Sequence, residues 1–479
     1  MPAVTTSTAP RPTACPGLAR IVAALDGGIC RIKLPCGELS AEQACALADA
    51  AGRYASGVVD VTNRANLQLR GVRSGDESAL TQALIDAGLG PDGRSDASGS
   101  TDQTAQSSQS ATSLAADDVR NVMVSPAAGR DPQASIDTTP LAHDILERLR
   151  TDTRLHALSA KFALLLDGGE RLAMLDHPHD IWLAAMPSAH AEAPLFAFGL
   201  AGCPPVAGDG AASCDVTRAT LAAVEPQHAG MLVAALLHTF LDLAEPDMTR
   251  MRDLLGVRSV DELMRHVESR IDFPLVCHES IRAWRRAPAD ASLRLGAHRQ
   301  RTDDLYHVGG QAPLGRLNAA SLRGLAALAR ELGNATLRMT PWQSVLLPDV
   351  PSRHVTAAID ALSALGLACR SGDPLTRLIA CTGSTGCAKG LADTKADAMQ
   401  LALRLPAGVD VHLSGCPRSC AAAHCAPHTL LAVAPGRYDL YQRDALPLQS
   451  GFGCCVARHM TIDEAAAHLS RQPWSPIDA

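Results

Sequence analysis

Apolar positions recur with a helical period in two distant stretches of the chain. Ala44, Leu47, Ala48 and Ala51 mark one face; Leu322, Leu325, Leu328 and Ala329 mark the other. Spacings of three and four residues place such side chains on one stripe of a helix. Ser40 and Asn318 stand just before them as N-cap candidates, because their short polar side chains accept from the free amides of a first turn. A run with strand character follows each helix, Val58-Val59-Asp60-Val61-Thr62 and Ala335-Thr336-Leu337-Arg338-Met339-Thr340. The two stretches are copies of one unit. Residues 35–69 match 313–347 without a gap at an offset of 278, pairing Leu47 with Leu325, Thr62 with Thr340, Leu67 with Val345 and Leu69 with Leu347. A duplication predicts two halves about a pseudo-twofold axis, with a site between them that draws on both.

Other segments fill in the class. Residues 141–158 read as a helix with Ile145, Leu146 and Leu149 on one face. Lys161-Phe162-Ala163-Leu164-Leu165-Leu166 reads as a strand that ends at the turn Asp167-Gly168-Gly169. Residues 226–243 read as a long helix opened by Pro226. Between the copies, 91–116 is rich in Ser, Thr, Gln, Asp and Gly with almost no large apolar residue, and reads as a disordered surface insertion. Strands and helices in this mixture predict an α+β protein of several layers.

Composition narrows the function. A chain of 479 residues with 47% hydrophobic residues is globular. A net charge of −7 and 3% aromatics leave no general basis for nucleic-acid binding. No run of about 18 apolar residues predicts a membrane span, and the proline-rich start has no apolar signal core. Fifteen cysteines fit free thiols and metal ligation better than a disulfide framework, so a cytoplasmic location is expected.

Four of those cysteines carry the chemistry. They are spaced Cys381-x5-Cys387 and Cys416-x3-Cys420, each pair among glycines and small polar residues. Four thiolates from two loops suit an iron–sulfur cube, and the glycines let backbone amides approach its sulfurs. Structural zinc sites use tighter spacings. A cluster supplies one-electron chemistry that no side chain performs, so a redox enzyme is expected.

The cysteine pattern, the duplication and three basic motifs together resemble the nitrite/sulfite reductase superfamily over about 15–455. Val61-Thr62-Asn63-Arg64-Ala65-Asn66-Leu67-Gln68 is similar to its Thr-x-Arg-x-x-x-Gln segment, Asp118-Val119-Arg120-Asn121-Val122 to its Arg-Asn-Val segment, and Leu158-Ser159-Ala160-Lys161-Phe162-Ala163 to its Leu-Pro-x-Lys-Phe-Lys segment. The resemblance implies a duplicated fold with ferredoxin-like half-domains. On it, 15–90 is the first half-domain, 117–300 the first reductase-like domain, 301–357 the second half-domain and 358–479 the cluster domain. It implies that Cys381, Cys387, Cys416 and Cys420 hold a [4Fe–4S] cluster. In sirohaem relatives the last thiolate also bridges to the haem iron, and Cys420 matches it. Arg64, Arg120 and Lys161 would then grip the carboxylates of a tetrapyrrole and act in catalysis, with Trp342, aligned to Arg64 in the second copy, against the same substrate.

One departure matters. The second lysine of the family's Lys-Phe-Lys segment, which serves protons to a small anion, is Ala163 here. Within the superfamily the chain is therefore most similar to the precorrin-3B synthase branch. That branch implies hydroxylation of precorrin-3A at C20 with O2, closure of a γ-lactone, and a mononuclear non-haem iron beside the cluster. The branch also implies electrons from NADH, and a separate reductase is expected to deliver them, because no glycine-rich dinucleotide fingerprint is evident. Sirohaem belongs to the other reading, a nitrite or sulfite reductase. For the iron, Asp176-His177-Pro178-His179-Asp180 has suitable ligand types, and so do His424 and His428; a polar turn is the plain alternative for both.

Overall fold

A computed structural model describes residues 15–90, 115–187, 193–208, 219–443 and 451–471. The two copied helices form where their caps place them. Ser40 accepts from the Gln43 amide at 3.1 Å and the Gln43 side chain accepts from the Ser40 amide, closing a capping box before the helix Ala41–Tyr54. Asn318 accepts from Ser321 at 2.8 Å before the helix Ala319–Leu332. Their apolar stripes, with Leu47 and Leu325 fully buried, meet in one core shared by both half-domains.

The half-domains exchange strands. The first sheet runs Val22–Ala24, Gly27–Ile32, Leu67–Val72, Val58–Val61 and then Arg316–Asn318 from the second copy. The second runs Gly296–Arg299, Leu305–Gln311, Ser344–Pro351, Thr336–Met339 and then Glu38–Ser40 from the first. Leu317 pairs with Val59, and Leu337 with Leu39. The backbone repeats the offset of 278 at left-handed positions: Cys36 (φ 55) with Leu314 (48), Gly37 (70) with Gly315 (74), Gly57 (78) with Ala335 (62), Ala65 (55) with Gln343 (62), and Gly71 (68) with Asp349 (61). L-residues seldom adopt this region, so coincident use at five sites marks a common backbone.

The larger domains are also copies. One sheet comprises Val122–Val124, Leu164–Asp167, His179–Met186, Leu195–Gly202 and Ala222–Val224; the other comprises Leu378–Ala380, Val411–Ser414, His428–Ala434, Arg437–Gln442 and Cys454–Met460. In each, the first three strands run parallel, the fourth returns antiparallel to the third, and the fifth pairs antiparallel with the fourth. The register aligns Val124 with Ala380 and Leu166 with Leu413.

Several expected boundaries shift. The helix at 141–158 is Thr139–Thr151, followed by a 3-10 turn at Leu155–Ala157. The strand expected from Lys161 begins at Leu164, because Ser159 to Phe162 closes a turn through the Phe162 amide and the Ser159 carbonyl at 2.8 Å. The helix at 226–243 opens with a 3-10 turn and is α-helical over Ala229–Leu243. Of the Ser-rich tract, 91–114 lies outside the described residues, while 115–119 is helical with Ala116 buried. Among the described residues no helix is long and apolar enough to cross a membrane.

Candidate functional site

The cysteine loops leave the same edge of the second large sheet. Cys381 follows the strand Leu378–Ala380, and Gly415-Cys416 follows the adjacent parallel strand Val411–Ser414. Parallel neighbours end side by side, so both loops start together. The Gly415 amide donates to the Cys381 sulfur at 3.2 Å. Gly383 lies at φ +72, where a side chain would meet the Ala392 carbonyl at 2.6 Å. The loops are tied by the Ser384 amide to the Ala392 carbonyl (2.8 Å) and the Leu391 amide to the Gly415 carbonyl (2.9 Å).

Partial burial, and after it the neighbouring Cys416, Cys381 and Cys387, raise the Cys420 thiol above its usual range. Four cysteine sulfurs on two adjoining loops would be the donor set of a cationic centre. Among the described residues no three His, Cys, Asp or Glu side chains stand at single-ion spacing. A cube places its four thiolates on four different irons, so the cysteine set fits a cluster rather than one ion. The first copy has no such set: Ser125 stands where Cys381 does and Gly169 where Cys416 does.

The first half-domain reaches over this centre. Arg70 pairs with Asp26 through two 2.8 Å bonds and donates to the Gly386 carbonyl at 2.6 Å. Asn63 donates to the Cys420 carbonyl at 3.4 Å. The sequence reading did not single out Arg70; its approach depends on Gly386, where a side chain would meet Asp26 at 2.6 Å.

Arg64 and Arg120 come together at a cavity of about 10 Å³, with Asn66, Asn121, Ala163 and His179. That is roughly the room one water needs. Burial pushes Arg64 down to about 10, helped by Arg250 and Arg31. Arg120 is committed to a buried pair with Asp117 at 2.6 Å. Lys161 is exposed on its turn and lines neither this cavity nor the large one.

Trp342 lines a separate cavity of about 820 Å³, within the range of cofactor-sized sites. Asn63, Asp176, His177, Arg294, Arg377 and His424 share it, so both copies contribute. Ala421 and His424, which follow Cys420 in sequence, line it as well. Of the other candidates, His179 lines the small cavity, and His428 starts a strand with its ring bonded to the Asp410 carbonyl at 3.3 Å.

Lys33, which the sequence reading missed, is buried beside Asp117 and Asp118 and donates to the Asp118 carbonyl. Its signal was its place on the same strand face as Arg31 in Cys30-Arg31-Ile32-Lys33. Burial pushes its ammonium down to about 7. An unfolded lysine keeps its proton to about pH 10.4. Between these values the unfolded state binds the extra proton, so this group makes stability rise with pH from about 7 to about 10. Lys33→Met is expected to remove that rise, at up to about 1.4 kcal/mol per pH unit. Denaturation midpoints across this pH range check it; identical profiles for both proteins would refute it.

Family comparisons agree with this geometry. The nitrite/sulfite reductase ferredoxin-like half domain matches twice, at 24–87 and 298–365, and the nitrite and sulphite reductase 4Fe-4S domain matches at 115–275. The chain belongs to the nitrite/sulfite reductase family. The 4Fe-4S domain match falls on the first large copy; the four cysteines stand on the second. The chain is 30% identical to the chloroplastic ferredoxin–nitrite reductase of Zea mays over 81% of its length. It spans 63 to 67% of the maize, rice and spinach nitrite reductases. It is 26% identical to precorrin-3B synthase of Sinorhizobium, over 93% of this chain and 87% of that protein. The solved structure of the Mycobacterium tuberculosis NirA protein shares the fold, with a TM-score of 0.71 at 21% identity, covering 93% of this chain and 80% of that one. Membership in this family supports a 4Fe-4S redox protein with the duplicated α+β fold.

Proposed function

We propose that this oxidoreductase is a precorrin-3B synthase, which hydroxylates precorrin-3A at C20 and closes a γ-lactone. One atom of O2 enters the macrocycle and the other leaves as water, with two electrons drawn from NADH through a separate reductase in the cytoplasm. The observation that carries this reading is Ala163. It lies at the small cavity beside Arg64 and Arg120, where the family pattern has a lysine. Without that ammonium the pocket lacks the lysine proton donor that the family pattern brings to reduction of a small oxyanion. The large cavity offers space on the scale of a tetrapyrrole, and the near end-to-end match to the Sinorhizobium synthase supports the same reading.

In this reading Cys381, Cys387, Cys416 and Cys420 hold the [4Fe–4S] cluster, which supplies electrons singly when bound. Arg64 grips a substrate carboxylate, Arg120 holds the pocket wall through Asp117, and Trp342 packs against the macrocycle in the large cavity. Lys161, exposed on its turn, is the third cation offered to the substrate's carboxylates. The second reading, a sirohaem-dependent nitrite or sulfite reductase, is favoured by the 30% identity to the maize enzyme.

The absorption spectrum of cofactor-replete protein separates the two. Sirohaem bands would sink the synthase reading; consumption of O2 with precorrin-3A would establish it. Arg64→Ala is expected to weaken precorrin-3A binding about 10- to 100-fold, the worth of one charge-assisted hydrogen bond at about 1.5–3 kcal/mol. Titration of the substrate's absorbance measures this, and unaltered affinity removes Arg64 from the site.

A further inference from the structure

The two cavities are copies of one another. Through the half-domain repeat and the register of the large sheets, Arg64 corresponds to Trp342, Arg120 to Thr376, Asn121 to Arg377, Ala163 to Asp410 and His179 to Ala426. The first residue of each pair lines the small cavity and the second lines the large one. The half-domain repeat also pairs Lys33 with Gln311. Three cations of the first copy, Lys33, Arg64 and Arg120, are therefore neutral in the second.

Positive charge returns at other positions of the large cavity, on Arg294 and Arg377. Four of the five N–H groups of Arg294 go to neutral acceptors. Nε and Nη2 donate to the Gln311 side-chain oxygen at 3.4 and 3.3 Å, Nη1 to the Ala291 carbonyl at 2.6 Å, and Nη2 to the Thr376 carbonyl at 2.8 Å. These bonds fix the guanidinium without neutralising it, and burial pushes it down to about 10. Arg377, the residue after Thr376, donates through Nε to the Ser371 carbonyl at 3.3 Å. Asp410 and Asp290 act on Arg294 only through space. Among the described residues neither guanidinium has a carboxylate at ion-pair distance.

We propose that Arg294 and Arg377 receive a carboxylate of the ligand in the large cavity, while Trp342 packs against its flat face. Guanidinium forks suit carboxylates, and one fork here is already oriented by neutral partners. The ligand class is a planar molecule with acidic side arms. This assignment rests on the tetrapyrrole reading of that cavity and names the residues that select for the arms.

The test is titration of cluster-loaded protein with uroporphyrin, a carboxylate-rich tetrapyrrole, read by its absorption band and by quenching of tryptophan fluorescence. Binding is expected, with quenching that Trp342→Phe removes. Arg377→Ala is expected to weaken it about 10- to 100-fold, the loss of one charge-assisted hydrogen bond. Arg377→Lys is expected to restore part of the affinity, because the charge returns without the fork. Unchanged cluster absorbance shows that the variants are folded. The proposal is overturned by no uroporphyrin binding, by quenching that survives Trp342→Phe, or by parental affinity in Arg377→Ala. In the last case, quenching that still depends on Trp342 would keep the tetrapyrrole reading and remove the arginine assignment alone. Arginine-dependent binding in a protein that fails to turn over precorrin-3A would keep the assignment and remove the synthase reading.

Discussion

A Cys416→Ser variant is expected to lose the cluster's visible absorption and all electron-transfer activity while keeping its fold. Serine's hydroxyl stays protonated at neutral pH and is a hard, neutral donor, so one iron loses its thiolate. The loops do not need that thiol to hold their path. The bonds from Ser384 to Ala392 and from Leu391 to Gly415 run through backbone atoms alone. The strands beneath end in a separate apolar core that includes Leu378, Leu413 and Leu430. Absorption and electron paramagnetic resonance of the reduced protein measure the cluster, and far-ultraviolet circular dichroism measures the fold. Cys455→Ser, on the outermost strand of the same sheet, is the control and keeps the spectrum. A Cys416→Ser protein with the parental spectrum would falsify the ligand assignment.

Arg286→Met is expected to cost about 3–5 kcal/mol of stability, the usual effect of stranding a buried charge. Arg286 holds Asp167 through bonds of 2.7 and 3.0 Å and donates to the Glu170 carbonyl at 2.5 Å. Side-chain exposure is 5% for Arg286 and 1% for Asp167. Burial, and then the nearby Asp167, push the Glu170 carboxyl well above its usual range, and the guanidinium lies against both acidic residues, bonded to the Asp167 carboxylate and the Glu170 carbonyl. These groups fill the first-copy loop that corresponds to the Cys416 loop of the second, because Asp167 aligns with Ser414. A buried ion pair thus braces the copy without cysteines. Urea midpoints test this. Arg286→Met with Asp167→Asn is expected to recover part of the loss, since charge and partner leave together. A single-variant cost below about 1 kcal/mol would place the pair among weak surface contacts instead.

Much of the local structure was legible. Ser40 and Asn318 cap where their side chains reach the third amide, and that geometry spans only a few residues. The cysteine spacing was equally local, because each pair sits on one loop. Lys161 was misjudged as a strand residue because the apolar run behind it masks the turn closed by Ser159 and Phe162. The relation between the two larger domains was hidden, since strand direction and order are not encoded in residue identity at a fixed offset.

By itself the sequence determined the copied helix–strand units, their caps and the four thiols, all set by interactions within a few residues. Only the tertiary structure decided that the half-domains trade strands, Arg316–Asn318 onto Val58–Val61 and Glu38–Ser40 onto Thr336–Met339. The exchange draws both copies onto one shared core. Across the same molecule Asn63 reaches the Cys420 loop and His177 meets His424, 247 residues apart in sequence. Such pairings are fixed by burial of a common core and by strand register, and neither leaves a periodic trace in the chain.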